Sequence, residues 1–161
     1  MKPIQSSTEI HKTGFPTNLL IRVLPKPVIL LEISPNPKDR MTYGRYLTRI
    51  AGCLECHSPS EKGQLREFIG GKEFEMPAGI VRSANLTSDF APGIGGMLKK
   101  DFVNKFLAFE VKAVGLGDYN TPMPWSSYSH MKSDDLEAIY DYLKSTAPVQ
   151  NVIDRFTPRK R

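Results

Sequence analysis

Cysteine and histidine are scarce in this chain: among 161 residues there are two of the former and three of the latter. Tetrahedral zinc needs four ligands, and Cys53, Cys56 and the scattered His11, His57 and His130 supply no paired set. A long apolar run is missing as well. The most apolar stretch, residues 18–33, is broken by Arg22, Pro25, Lys26 and Pro27, whereas a membrane-spanning helix needs about 20 largely apolar residues. Neither an internal repeat nor a low-complexity tract is present, so the length predicts one domain with room for a single core. Thirteen prolines keep its helices short. The net charge of +5 is unevenly spread: residues 1–50 carry eight Lys/Arg against three Asp/Glu, residues 151–161 four against one, and the middle ten against thirteen. Nucleic-acid binding, which wants a basic face with aromatic or motif support, gains little from this pattern. The basic ends read as solvated tails, with docking to an acidic partner or anionic lipid as the alternative.

What the chain does have is concentrated in Cys53-Leu54-Glu55-Cys56-His57. C-x-x-C-H is the attachment signature of a c-type haem. Two thiols separated by two residues can each add to one vinyl group of the same porphyrin, and the histidine that follows is then placed under the iron. A thioredoxin-like pair shares the C-x-x-C but follows a strand in a βαβ unit, and the residues before Cys53 read as a helix. A c-type haem is attached outside the cytoplasmic membrane. The chain is therefore expected at the periplasmic or extracytoplasmic face, although no export signal or anchor is visible in it.

Residues 1–38, rich in Pro, Ser and Thr, predict an extended arm, and residues 149–161 a basic strap, on either side of a domain over 39–148. Apolar spacing predicts a first helix over 39–51, with Met41, Tyr43, Tyr46, Leu47 and Ile50 near one face. Gly44 inside it costs about 1 kcal/mol against alanine, which marks a close crossing with the last helix, against Tyr140 or Leu143. Residues 58–96, punctuated by Gly70-Gly71, Pro77-Ala78-Gly79 and Ala91-Pro92-Gly93, predict loop. A second helix is predicted over 99–112, where Leu98, Phe102, Phe106 and Phe109 form a stripe. A third has Ser133 as N-cap, Asp134 and Asp135 in its first turn, and a face of Leu136, Ile139, Tyr140 and Leu143 before Pro148. Phe102, Phe106, Trp125 and Tyr140 are candidates for the wall of a haem pocket or for ordinary core. Arg82 reads as solvated surface, with pairing to a haem propionate as the alternative. The sequon Asn85-Leu86-Thr87 is of a kind frequent by chance and carries no weight.

Haem iron held by His57 alone keeps an open site; a thioether on the opposite face closes it and raises the potential. Of the six methionines, Met76 and Met123 precede proline. Met76 lies only 19 residues beyond His57, which leaves little chain to travel round the porphyrin edge. Met123 lies 66 residues on, in a Gly/Pro/Asn-rich loop between two helices, where a backbone can be shaped to aim one side chain. Met123 is the preferred second ligand; His130, another methionine and an open site are the alternatives.

These elements together resemble a class I cytochrome c. The closer similarity is to the cytochrome c domains of bacterial membrane-associated dehydrogenases, such as the multihaem subunits of alcohol and gluconate dehydrogenases. It rests on Gly44-Arg45-Tyr46-Leu47, the haem motif, Asn85-Leu86-Thr87-Ser88-Asp89, Gly93-Ile94-Gly95, Met123-Pro124-Trp125 and Ser133-Asp134-Asp135-Leu136, in that order over about residues 40–146. The resemblance implies an all-α fold of three to five short helices around one covalently bound haem c, with extended N- and C-terminal arms. It also implies attachment at Cys53 and Cys56, with His57 as proximal and Met123 as distal ligand. Relatives commonly carry an aromatic after the Gly-Ile-Gly turn, where this chain has Gly96-Met97, and often several haem motifs, where it has one.

The function expected is a mono-haem carrier of single electrons, not itself an enzyme, and either independent or a subunit or domain of an oxidoreductase complex. Its partners would be redox proteins, a dehydrogenase donor or an oxidase or cytochrome acceptor, with peripheral membrane or complex association and no nucleic acid. Two readings compete: an open-site haem protein, peroxidase-like or gas-binding, with His130 as polar distal group, and an electron-relay domain of a larger dehydrogenase.

Overall fold

The computed structural model describes residues 34–110 and 122–159. Residues 1–33 of the arm predicted over 1–38, His11 among them, the end of the helix predicted over 99–112 and most of the loop before Met123 lie outside the described residues. Five helices are described: α1 (Arg40–Ile50), α2 (Cys53–His57), α3 (Lys99–Leu107), α4 (Trp125–Tyr128) and α5 (Ser133–Lys144). None is long and apolar enough to cross a membrane.

Helix α1 starts where the Asp39 carboxylate accepts from the Thr42 amide at 3.2 Å, an N-cap bond that also holds this carboxyl below its usual range. Its buried face is Gly44, Leu47 and Thr48. Met41, in the first turn, and Ile50, about 120° round the helix from Gly44 by the 100° step, are instead 44% and 59% exposed. Helix α5 buries Leu136, Ala138, Ile139, Tyr140 and Leu143. Its N-cap is Lys132, in extended backbone and without a side-chain cap bond, so Ser133 is the first helical residue and not the cap. The two helices cross at Gly44, where a Cβ would stand 2.0 Å from the Ala138 carbonyl oxygen and 2.8 Å from the Tyr142 Cβ. Glycine is required there by backbone approach. The partners are Ala138 and Tyr142 rather than Tyr140 or Leu143, because Tyr140 turns away to donate its hydroxyl to the Met97 carbonyl at 2.6 Å.

Helix α3 stops five residues short of the predicted end. Beyond Leu107 the chain tightens, with Phe109 and Glu110 amides bonded to the Phe106 and Leu107 carbonyls at 3.0 Å. That turn stacks Phe109 on Trp125 at 4.8 Å.

The all-α expectation needs correction between the helices. Residues 58–96 hold four short strands: β1 (Ser60–Glu61) and β2 (Gln64–Leu65) form one hairpin, β3 (Glu73–Met76) and β4 (Gly79–Arg82) a second. The first turns through Lys62 and Gly63, both at positive φ, as a two-residue hairpin loop requires. A fifth strand, β5 (Phe156–Pro158), pairs antiparallel with β4, giving the order β3-β4-β5. Strands of two to four residues leave no period long enough to stand out among glycines and prolines.

The chain between α5 and β5 is stapled to the domain by side-chain amides. Asn85 donates to the Val149 carbonyl at 2.8 Å and Asn151 to the Ile69 carbonyl at 2.9 Å. Asn85 is buried, its carbonyl oxygen accepting from the Thr87 amide and hydroxyl. The sequon asparagine is thus part of the framework.

Candidate functional site

Beside α2 lies an apolar cavity of about 370 Å³. Ala51 to Cys53, Cys56 and His57 form one wall, Val81 to Leu86, Pro92 to Ile94 and Met97 contribute further backbone and side chains, and residues of α3, residues 122–125 with Tyr128, and residues of α5 complete it. Of the residues singled out from sequence, Cys53, Cys56, His57, Met123, Trp125, Phe102 and Phe106 all line this one space. Tyr140 does not: its ring stands behind Phe102, centroids 5.5 Å apart. His130 is exposed, its ring Nδ1 2.7 Å from the Ser126 carbonyl oxygen, and Met76 sits on β3; neither lines the cavity. Two further methionines do, Met97 and Met131.

His57 is oriented before anything binds. It is 7% exposed, and its Nδ1 lies 2.8 Å from the Ala84 carbonyl oxygen. Burial pushes the imidazole below its usual range; the bond to Ala84 opposes this and the positive charge of Arg155 adds to it. The neutral ring donates from Nδ1 to Ala84 and keeps its lone pair on Nε2, the form that ligates a metal. The backbone holds this arrangement from both sides. The Gly70 amide donates to the His57 carbonyl at 2.9 Å, and Gly70 sits at φ +70° where a Cβ would come within 2.4 Å of Ala84. Only glycine meets both demands.

The Cys53 thiol suits chemistry other than redox exchange. Burial, reinforced by the Glu55 carboxylate, pushes the Cys53 thiol up to about 12. Catalytic dithiols and zinc ligands work as thiolates with depressed pKa, and among the described residues no group of three His, Cys, Asp or Glu side chains stands together. A thioether carries no charge to desolvate, so covalent attachment of both sulfurs suits this wall. Opposite, Tyr128 donates its hydroxyl to the carbonyl of Ala51, two residues before Cys53. Burial raises the Tyr128 phenol above its usual range, so it stays a donor. The short helix after Met123 is thereby tied to the segment that carries the thiols.

The residues fit a c-type haem: two sulfurs at attachment spacing, a neutral imidazole beside them, thioethers elsewhere on the lining, and aromatic walls in which Phe106 meets Trp125 at 5.4 Å. Sequence reasoning missed the Ala84 carbonyl and the Tyr128 latch. A carbonyl is the same in every residue and leaves no signal, whereas Tyr128, three residues after Met123-Pro124-Trp125, could have been read as the latch on that loop.

No family model matches the chain. It is 36% identical over 108 residues to the gluconate 2-dehydrogenase cytochrome c subunit of Pantoea cypripedii, covering 66% of this chain and 23% of that protein. It is 32% identical over 99 residues to the cytochrome c subunit of the quinone alcohol dehydrogenase of Gluconobacter oxydans, covering 62% and 20%. A cytochrome c subunit of the same kind from Komagataeibacter europaeus is likewise 32% identical over 99 residues, with 62% of this chain and 20% of that one covered. The chain thus spans about a fifth of the length of the cytochrome c subunits it matches. Over about two thirds of its own length it resembles the cytochrome c subunits of bacterial alcohol and gluconate dehydrogenases.

Proposed function

We propose that the chain is a mono-haem c-type cytochrome domain that passes single electrons between redox proteins. Cys53 and Cys56 would hold the haem covalently, His57 would be its proximal ligand and Met123 its distal one. The observation that carries this is the meeting of Cys53, Cys56, His57 and Met123 on one apolar cavity, from segments 66 residues apart. When bound, the haem supplies an iron that cycles between ferric and ferrous forms. The chain's own part is to attach, orient and dry that site. Ala84 and Gly70 hold the imidazole, Phe102, Phe106 and Trp125 exclude water, and a thioether at the sixth position favours the ferrous form. The open-site alternative loses its distal residue, since His130 lies outside the cavity. Similarity to cytochrome c subunits of dehydrogenases supports a dehydrogenase as the redox partner, and attachment of a c-type haem, which takes place outside the cytoplasmic membrane, supports the extracytoplasmic face.

Absorption spectra with and without carbon monoxide, on the protein produced with haem, test this. A haem that stays with the chain in acid-acetone, a low-spin spectrum in both oxidation states and no carbon monoxide adduct at neutral pH are expected. Met123→Ala should open the iron to carbon monoxide and lower the potential, while His130→Ala should change neither. Rapid carbon monoxide binding by the unmutated protein would overturn the distal assignment, and extraction of the haem by acid-acetone the covalent one.

A further inference from the structure

Among the described residues, the charges that line the cavity are all of one sign: Lys105, Arg82 and Arg155 line it, and no described aspartate or glutamate does. The three are not equivalent. The Arg82 guanidinium is engaged, with Glu73 at 2.8 Å, the Thr157 hydroxyl at 2.8 Å and the Asp154 carbonyl at 3.1 Å. It is therefore neither the solvated side chain expected from sequence nor free to meet a ligand. Those bonds fasten the segment that carries Arg155, just ahead of β5. Arg155 in turn donates from Nε to the Arg82 carbonyl at 2.9 Å, and the Arg82 amide donates to the Arg155 carbonyl at 3.0 Å. The side chain is held at its neck. Its two terminal nitrogens have no carboxylate partner among the described residues. A guanidinium fixed through Nε and presenting its remaining N–H groups at the exposed edge of an apolar cavity is arranged to pair with a carboxylate.

We infer that Arg155, delivered to the cavity edge by the C-terminal strand and positioned by Arg82, is the counter-ion of a carboxylate on the cavity's occupant. This rests on the proposal that the occupant is a haem, whose propionates are its carboxylates. Arg155 lies beyond residues 40–146, over which the sequence motifs run, so the segment after α5 takes part in the site and is more than a surface strap. The electrostatic consequence has a definite sign. A positive charge near the iron favours the ferrous form, and losing it also leaves a propionate unpaired, which favours the ferric form further.

Optical redox titration of the haem-loaded chain at neutral pH and low salt tests the inference. Arg155→Gln should shift the ferric-to-ferrous ratio at a fixed electrode potential toward ferric by roughly three- to tenfold, tenfold being about 59 mV for one electron. Arg155→Lys should recover most of the shift. Arg159→Gln removes the same charge from the same segment at a residue that does not line the cavity, and should leave the potential near the unmutated value. Arg155 is exposed, and a visible spectrum equal to the unmutated one in each variant shows the ligation intact. Equal potentials for Arg155→Gln and Arg159→Gln, with haem present, would overturn the counter-ion role alone. A chain that incorporates no haem would overturn the underlying functional reading and this inference with it.

Discussion

At the scale of single residues, the site depends on a backbone oxygen. The Ala84 carbonyl sets which imidazole nitrogen of His57 is free, and Gly70 sets how near Ala84 can stand. An alanine at Gly70 must force either the positive φ or the 2.4 Å approach to Ala84. We expect Gly70→Ala to lower stability by about 1–3 kcal/mol, the range for strained backbone, and to weaken proximal ligation. Chemical denaturation of the holoprotein, with the spectrum followed for a high-spin component, checks this; an unchanged midpoint and spectrum would show that the approach relaxes freely. That His57 and both cysteines would stand together was legible in the sequence because the C-x-x-C-H spacing carries them on one short segment. Arg155 was not: nothing in Asp154-Arg155-Phe156 states that β5 will fold back beside β4 and bring an arginine to the cavity.

Among the elements, the α1–α5 crossing is the most demanding joint. With a Cβ placed 2.0 Å from the Ala138 oxygen, even alanine at Gly44 must push two helices apart. Gly44→Ala should cost about 1–3 kcal/mol and Gly44→Val more, as overpacking does; a loss of only a few tenths in thermal or urea unfolding would refute the close approach. Helices α1, α3 and α5 were readable from their apolar period, with errors at their ends, whereas α2 and α4, of five and four residues, are too short to show one. The Ser133 cap misplaced the start of α5 by one residue because Lys132 takes the extended backbone of the cap position. The hairpins were not readable, since Glu73–Met76 and Gly79–Arg82 are four residues each and one edge of β4 is completed by a strand more than seventy residues away. Helix α4 has its own test. Tyr128→Phe removes the hydroxyl that holds Ala51 and takes a hydrogen bond from a half-buried carbonyl, at a cost of about 0.5–1.5 kcal/mol. If the latch also aims Met123, this variant should admit carbon monoxide faster than the unmutated protein; identical kinetics would separate the latch from ligation.

At the scale of the whole molecule, the described side chains surround a space that they do not fill. Leu136, Ile139, Leu143, Phe102 and Phe106 pack together on one side and line the cavity on the other. An apolar space of about 370 Å³ is far larger than the water-sized voids that folded interiors leave, so the side chains lining it lack packing partners across it. The chain without a cofactor therefore has little reason to keep this shape, while the helical periods and the Asp39 cap that make α1 and α5 are local and survive. The Cys53→Ser, Cys56→Ser double variant, produced without haem, should retain helical far-ultraviolet circular dichroism, lose fixed near-ultraviolet signals, bind a hydrophobic dye and melt without a cooperative transition, the signature of a compact state without specific packing. A sharp two-state melt of that variant, with no dye binding, would mean that the helices close over the cavity unaided, and that the haem is held by the fold without helping to make it.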